Sequence, residues 1–241
     1  MKVHVLTHKA EILSEKLEDK VVLVLDILFA TSSIVTAMAN GCELVIPTQN
    51  SELALAKSKV PAYSKFVLSG ELNADTLQGF SHPTPVALLK TNIKNNGLIY
   101  CTTNGTVALH ASQSASSVYA ASLLNGKAIV DKIKADHQGA TVLIVCSGSQ
   151  DRFNLEDFFG AGQLVSYLNQ NKHFQNVQFS DSAIAAKHLY ENGNGLDILR
   201  QSRVGQMMIS RNLDDEIKFA AQENITNVIP KLSRDGLLRL V

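Results

Sequence analysis

Acids and hydroxyls recur in this sequence at one kind of place, the end of a short apolar run. Val22-Leu23-Val24-Leu25 ends in Asp26 and leads to Thr31-Ser32-Ser33. A carboxylate there can hold a cation or act as a nucleophile. Three hydroxyls opening a helix can cap it or donate to an anion. Leu98-Ile99-Tyr100-Cys101 ends in Thr102-Thr103-Asn104-Gly105-Thr106. Asn-Gly accepts positive φ, so the backbone can curl and aim successive N–H groups at one point, as a phosphate cradle requires. A third run leads into Ser147-Gly148-Ser149-Gln150-Asp151-Arg152, followed by Asn154, Glu156 and Asp157. Arg152 offers a planar fork for phosphate, and the paired acids suit Mg²⁺. Asn154 and Asp157 also match a capping box, in which the acid reaches back to the cap. A fourth run, Phe66-Val67-Leu68-Ser69-Gly70, ends in Glu71. Asp26, Glu71, Glu156 and Asp157 are the expected metal set, because Mg²⁺ takes a few carboxylates together with water and phosphate oxygens.

These loops must be gathered by the elements around them. Apolar runs at residues 1–6, 21–26, 44–48, 66–70, 98–103, 118–122 and 142–147 read as strands, most of them buried on both faces. Helical spacing follows at 34–40, 107–111 and 155–169. Strands alternating with helices predict an α/β fold, layered α/β/α around a largely parallel or mixed sheet. In open α/β sheets ligands collect beyond the carboxyl ends of the strands, which is where the four loops fall. The pattern changes near residue 171. Residues 182–190, 196–209 and 215–222 read as helices, with Arg200, Arg203 and Arg211 on a solvated face. Two short strands at 228–232 and 237–241 follow, joined through Arg234-Asp235-Gly236, a hairpin turn signal. The expected organisation is a single α/β domain over 1–241, with two lobes as the alternative.

Composition excludes several classes. Twenty-two basic and 22 acidic residues give zero net charge, so no global field draws nucleic acid or an anionic membrane. No run is long and apolar enough for a membrane span, and the first residues lack the form of a signal peptide. Cys42, Cys101 and Cys146 are widely spaced in apolar runs and read as buried thiols, which makes a reducing cytoplasm the expected location. The seven histidines show no metal-ligand spacing, and neither a G-x-G-x-x-G nor a P-loop motif occurs. The Asp-x-Asp-x-Thr signature of haloacid-dehalogenase-type phosphatases fails at Leu28, where its second acid should stand. A homodimer is the default expectation for a soluble metabolic protein.

Taken together, the loops resemble those of the 2-phosphosulfolactate phosphatase family. The likeness covers residues 26–41 (family pattern D-V-L-R-A-T-[ST]-T-I-V-x-A-L-x-x-G), Gly70-Glu71, residues 102–106 with Ala108-Leu109, and residues 123–125. It continues at 152–162 (R-F-x-L-E-D-x-x-x-A-G), Ser202-Arg203-Val204-Gly205, Asp214-Asp215 and 228–238. The resemblance implies a fold peculiar to that family and Mg²⁺-dependent hydrolysis of a phosphate monoester of a small organic acid, giving sulfolactate and phosphate. On that reading Asp26 is metal ligand or nucleophile, and Glu71, Glu156 and Asp157 complete the metal site. Thr31, Ser32, Ser33, Thr103, Asn104, Gly105, Thr106, Asn125, Ser147 and Gly148 bind substrate, and Arg152 stabilises transition-state charge. The family pattern carries Arg where this chain has Phe29, Leu72 and Val107, and G-N-S-P where it has His82-Pro83-Thr84-Pro85. Apolar residues at three basic positions imply a less positive pocket. The alternative is a family member that keeps the fold and serves as a small-ligand or partner-binding protein.

Overall fold

The computed structural model describes residues 1–170 and 177–241. The expected change of pattern near 171 falls outside them. In chain order the elements are β1 (Lys2–Leu6), β2 (Lys20–Leu25), α1 (Ala30–Ala39), β3 (Cys42–Thr48), α2 (Ser51–Ser58), β4 (Val67–Leu72) and β5 (Asp75–Thr76). Then come α3 (Pro85–Leu88), β6 (Asn96–Cys101), α4 (Gly105–Ala111), β7 (Ser117–Ala121), α5 (Gly126–Asp136), β8 (Thr141–Cys146) and α6 (Leu155–Gln170). The chain continues through β9 (Gln178–Phe179), α7 (Asp181–Asn192), α8 (Gly195–Gln201), α9 (Arg203–Ser210), α10 (Asp214–Ala220), β10 (Pro230–Leu232) and β11 (Leu238–Leu240).

Side chains alternate across a strand, and in β2 the alternation divides the core in two. Val21, Leu23 and Leu25 face one layer, packed with Ile129 and Ile133 of α5 and Leu164 and Val165 of α6. Val22 and Val24 face the other, packed with Ile34 and Met38 of α1 and Leu109 of α4. A continuous apolar run therefore feeds both faces of a covered sheet, and the fold is the expected layered α/β/α. No helix among the described residues is long and apolar enough to cross a membrane. All three cysteines are free and buried.

The sheet has 11 strands in the order β5-β4-β6-β3-β11-β10-β7-β2-β8-β1-β9. The expected hairpin is present, but it does not lie at an edge. β11 pairs antiparallel with β3, and β10 pairs antiparallel with β7. With β10 and β11 themselves antiparallel, the sense reverses three times across the hairpin. The parallel set β4-β6-β3 is thus opposed to the parallel set β7-β2-β8-β1-β9. Over the five pairings from β6 to β2, a twist of roughly 20–25° per pair accumulates to more than a right angle. The two sets can therefore aim their carboxyl ends at a shared space. Their loops do meet: a Cβ placed on Gly105, after β6, would lie 2.7 Å from Oδ2 of Asp26, after β2.

The region read as one helix over 196–209 is two. Ser202 lies between α8 and α9, and its side chain accepts from Gly205 N, capping the second. This break sets the direction of α9 and places Arg203 in its first turn. The C-terminal helices also reach back to the sheet. Glu216 of α10 accepts from Thr84 Oγ1 at 2.7 Å, Val86 N at 2.8 Å and Ala87 N at 3.1 Å. It closes the start of the one-turn helix α3, while Pro83 O accepts from Ser33 Oγ and Tyr100 Oη. Truncating Glu216 to Ala leaves buried donors unpaired, a loss of about 1–3 kcal/mol. We expect Glu216→Ala to lower the unfolding midpoint by several degrees, and Glu216→Gln, which keeps one acceptor, to lower it less. Equal midpoints for wild type and Glu216→Ala would show that the cap contributes nothing.

Candidate functional site

Asp26 follows the last residue of β2, where the strand turns into α1. It is 8% exposed, and its Oδ1 accepts from Ala30 N at 3.2 Å. The three hydroxyls expected to face a ligand do other work. Thr31 Oγ1 donates to Asp26 O and accepts from Asp26 N. Ser32 Oγ donates to Ile27 O and Ser33 Oγ to Pro83 O. All three are fully buried, so they hold the turn that presents Asp26 and do not themselves meet a ligand.

The loop after β6 stands across from this turn. Glu71, at the end of β4, accepts from Thr103 N at 2.6 Å, Thr103 Oγ1 at 3.2 Å and Ala74 N at 2.6 Å. Its carboxylate is a staple between two loops, which corrects its expected role as a free metal ligand. Thr106 Oγ1 donates to Thr102 O, so it too serves the backbone. Asn104 Oδ1 accepts from Lys9 Nζ at 3.0 Å. Gly105 packs so closely on Asp26 and Ala30 that a Cβ would come within 2.5 Å of Ala30 Cβ. Asn125 lies elsewhere. It ties Ser122 N to the carbonyl of Val228 and is not part of the cavity.

The loop after β8 corrects two further expectations. Arg152 is exposed and does not line the cavity. The Asp157 carboxylate does not reach back to Asn154 as a capping box requires. It accepts from Ile27 N at 2.8 Å and from Gly148 N at 3.1 Å, clamping the β2 loop to the β8 loop. Gly148 sits at φ +62, and a Cβ there would meet Arg152 O at 2.4 Å. Ser147 Oγ is buried without a hydrogen-bond partner among the described residues. Glu156 is 1% exposed, and neither of its carboxylate oxygens has a partner among the described residues. Ser202 Oγ lies nearby, but its proton goes to Leu199 O.

The cation in the site is Arg203, which keeps the solvent exposure expected from sequence and also lines the cavity. Arg203 Nη2 donates to Ser149 Oγ and, at 3.2 Å, to Asn154 Oδ1, and the side chain lines the cavity. A motif-level signal was present in Ser202-Arg203-Val204-Gly205. It was masked by treating 196–209 as one helix. Lys9, also missed, bridges Asn104 and Asp151 from a site 13% exposed.

These loops enclose a cavity of about 120 Å³. Asp26, Glu71, Thr103, Asn104 and Arg203 line its polar side, and Leu28, Phe29, Val204 and Met207 its apolar side. Of the three positions where family arginines are replaced, only Phe29 faces it; Leu72 is exposed and Val107 half-buried. Burial pushes the Asp26 carboxyl up to about 6, helped by the charge of Glu71 and opposed by bonds from the Ala30 and Gly105 amides. Burial likewise pushes Glu156 up to about 7, with Asp26 adding to the rise and Arg203 opposing it. Asp157 is raised by burial, then by Asp26 and Glu156. Among the described residues no three His, Cys, Asp or Glu side chains form a set able to hold a metal ion. The four-acid cluster expected from sequence is therefore not formed. Glu71 and Asp157 each accept from two loop amides, Asp26 accepts from Ala30 N, and Glu156 has no partner among the described residues.

A folded-state carboxyl that is raised binds its proton more tightly than in the unfolded chain. Stability from Asp26 and Glu156 is thus complete below their ordinary values of 3.8 and 4.5 and is lost as pH rises through about 6 and 7. Without divalent cations, Glu156→Gln should flatten that decline and make the protein more stable than wild type at about pH 8. Urea unfolding across this range measures it; parallel curves for the two proteins would refute the burial of charge at this position.

Residues 6–235 match the family model described as 2-phosphosulpholactate phosphatase. A protein of Clostridium novyi (strain NT) named probable 2-phosphosulfolactate phosphatase is 32% identical over 234 residues, 96% of this chain and 97% of its own. One of the same name from Symbiobacterium thermophilum is 31% identical, over 94% of this chain and 97% of its own. Another, from Thermotoga maritima, is 34% identical over 218 residues, 89% of this chain and 90% of its own. The match runs through all four strand-end loops and through the Arg203 segment that completes their cavity, and on it the chain belongs to the 2-phosphosulpholactate phosphatase family.

Proposed function

We propose that this chain is a Mg²⁺-dependent phosphatase that hydrolyses small phosphate monoesters in the cavity beside Asp26. The observation that carries the reading is Glu156, a carboxylate removed from water, with both oxygens unpartnered among the described residues and beside a second buried acid. Such a pair is costly unless a cation joins it. Its donors fit Mg²⁺, which binds through one or two carboxylates and completes its shell with water and phosphate oxygens. Asp26 and Glu156 are the residues that would hold it. When bound, it would withdraw charge from the phosphoryl oxygens.

The chain's own residues supply the remainder. Arg203 uses Nη2 on Ser149 and Asn154, which fixes the guanidinium plane and leaves its other N–H groups to donate to phosphoryl oxygens. This support counts most where negative charge accumulates during transfer. Asp157 joins the loops after β2 and β8, Glu71 joins those after β4 and β6, and Ser149 and Asn154 hold Arg203 to the loop after β8, so that these groups are positioned before a substrate arrives. Leu28 and Phe29 wall one side against bulk water, which strengthens each of these interactions. Membership of the family and the names of the relatives support the same reaction class.

Release of inorganic phosphate from a panel of monoesters with Mg²⁺ tests the reading. Asp26→Asn should lower kcat/KM by at least about 100-fold, and Arg203→Ala by roughly 30- to 1,000-fold. Arg152→Ala should stay within about threefold of wild type, since a surface arginine contributes little. Equal losses for the two arginine variants would overturn the assignment of Arg203. Mg²⁺ should also raise the unfolding midpoint more at about pH 8 than at about pH 5, because the ion competes with protons for Asp26 and Glu156. A midpoint indifferent to Mg²⁺ at both values would remove the metal from the proposal.

A further inference from the structure

Asn104 stands at the start of α4, where an asparagine side chain ordinarily accepts from the first helical amides. Here it makes no such bond. Its Oδ1 accepts from Lys9 Nζ at 3.0 Å instead. An ammonium only donates, so the oxygen end of the amide faces Lys9 and the Nδ2 end turns away. Nδ2 meets no acceptor among the described residues, and Asn104 lines the cavity. The end of the amide left for a ligand is therefore the donor end. A flip would set its NH2 group against the ammonium. Lys9 is itself held from both ends. Its backbone N donates to Ser147 O at 3.3 Å, its Nζ lies 3.3 Å from Asp151 Oδ1, and its side chain is 13% exposed. The turn that carries it, Lys9–Glu11, follows β1. Lys9 thus ties the loop after β6 to the loop after β8 and sets the sense of one amide on the cavity wall. The next residue along, Gly105, donates its own amide to the Asp26 carboxyl, on which the charge of Lys9 also acts. Asn104 therefore stands close to the acid beside which the phosphoryl group is proposed to sit. A neutral donor suits that place, since a side-chain cation there would compete with a metal ion for Asp26.

We propose that Lys9 is a positioning residue that holds Asn104 so that Nδ2 donates to a phosphoryl oxygen of the substrate. This rests on the phosphatase reading above.

Two readouts test it, both with Mg²⁺ present: kcat/KM on the panel of monoesters, 2-phosphosulfolactate among them, and the Kd of inorganic phosphate. Asn104→Ala removes the donor and should lower kcat/KM roughly 30- to 300-fold. Lys9→Met frees the amide to flip and should lower it roughly tenfold. In the Asn104→Ala background Lys9→Met should change kcat/KM by less than about threefold, because no amide is left to direct. Asn104→Asp keeps an oxygen for Lys9 but puts an acceptor where Nδ2 stands. It should unfold no more easily than wild type, lose at least as much activity as Asn104→Ala, and raise the Kd of phosphate at least about tenfold. A purely structural tie between the two loops would leave Asn104→Asp active with its phosphate affinity intact. That result overturns the proposal and leaves the phosphatase reading standing, as do losses that multiply in the double variant. If Lys9→Met does not fold, Asn104→Asp decides the matter alone. No phosphate release by wild type from any ester overturns the phosphatase reading and this proposal with it.

Discussion

Taking a carboxylate out of water costs several kcal/mol unless something in the protein answers its charge. Asp26, Glu156 and Asp157 have all been taken out of water at one junction; Asp26 raises both of the others, and Glu156 adds to the rise of Asp157. The local architecture follows from how differently they are answered. Asp157 receives two amides, one from the turn after β2 and one from the loop after β8. Asp26 receives the amides at the start of α1 and α4. Glu156 receives none from another described residue. The first two acids join loops from separate strands, and the third stays buried without a partner among the described residues, behind the cavity lining. Assembly of the loops and the unanswered acid among them thus have a single origin.

The same division runs through the hydroxyls. Thr31, Ser32, Ser33 and Thr106 look like ligand donors when read along the chain, yet each proton is spent on a carbonyl within the fold. The turns they hold would otherwise bury unpaired carbonyls, a cost comparable with the gain from binding an anion. Among the described charged groups, those with bonding capacity to spare are few: Glu156, the remaining lone pairs of Asp26, and the other N–H groups of Arg203. A small number of free groups held by many committed ones is what a preorganised site requires.

Much of this was legible before folding. The strand positions follow from apolar runs, because a strand buried on both faces has no other way to be written. The loops holding Asp26, Glu71, Asn104 and Asp157 were found for the same reason, since they begin where those runs stop. What each side chain does inside the loops was not legible. Whether Glu71 meets a metal or the amide of Thr103 depends on a neighbour 32 residues away. Arg203 was missed because helical spacing continues across Ser202, and a cap formed by one hydroxyl and one amide leaves little trace in hydrophobic pattern. Arg152 was overvalued because adjacency to acids in sequence stood in for adjacency in space. The hairpin was read from Asp235-Gly236, but its place between β3 and β7 rests on pairings across more than a hundred residues.

That placement has a consequence for how the chain comes to its structure. β10 and β11 are translated after the nine other strands, yet they occupy the middle of the sheet. Until they arrive, β3 and β7 each present an open edge, the kind of surface on which strands of other chains can add. The cavity draws residues from both sides of that gap, so its walls are brought into register by a segment that contributes none of its lining. On the ribosome the two parallel sets can each gather locally. Their union waits for β10 and β11, which makes closure of the site a late event in assembly.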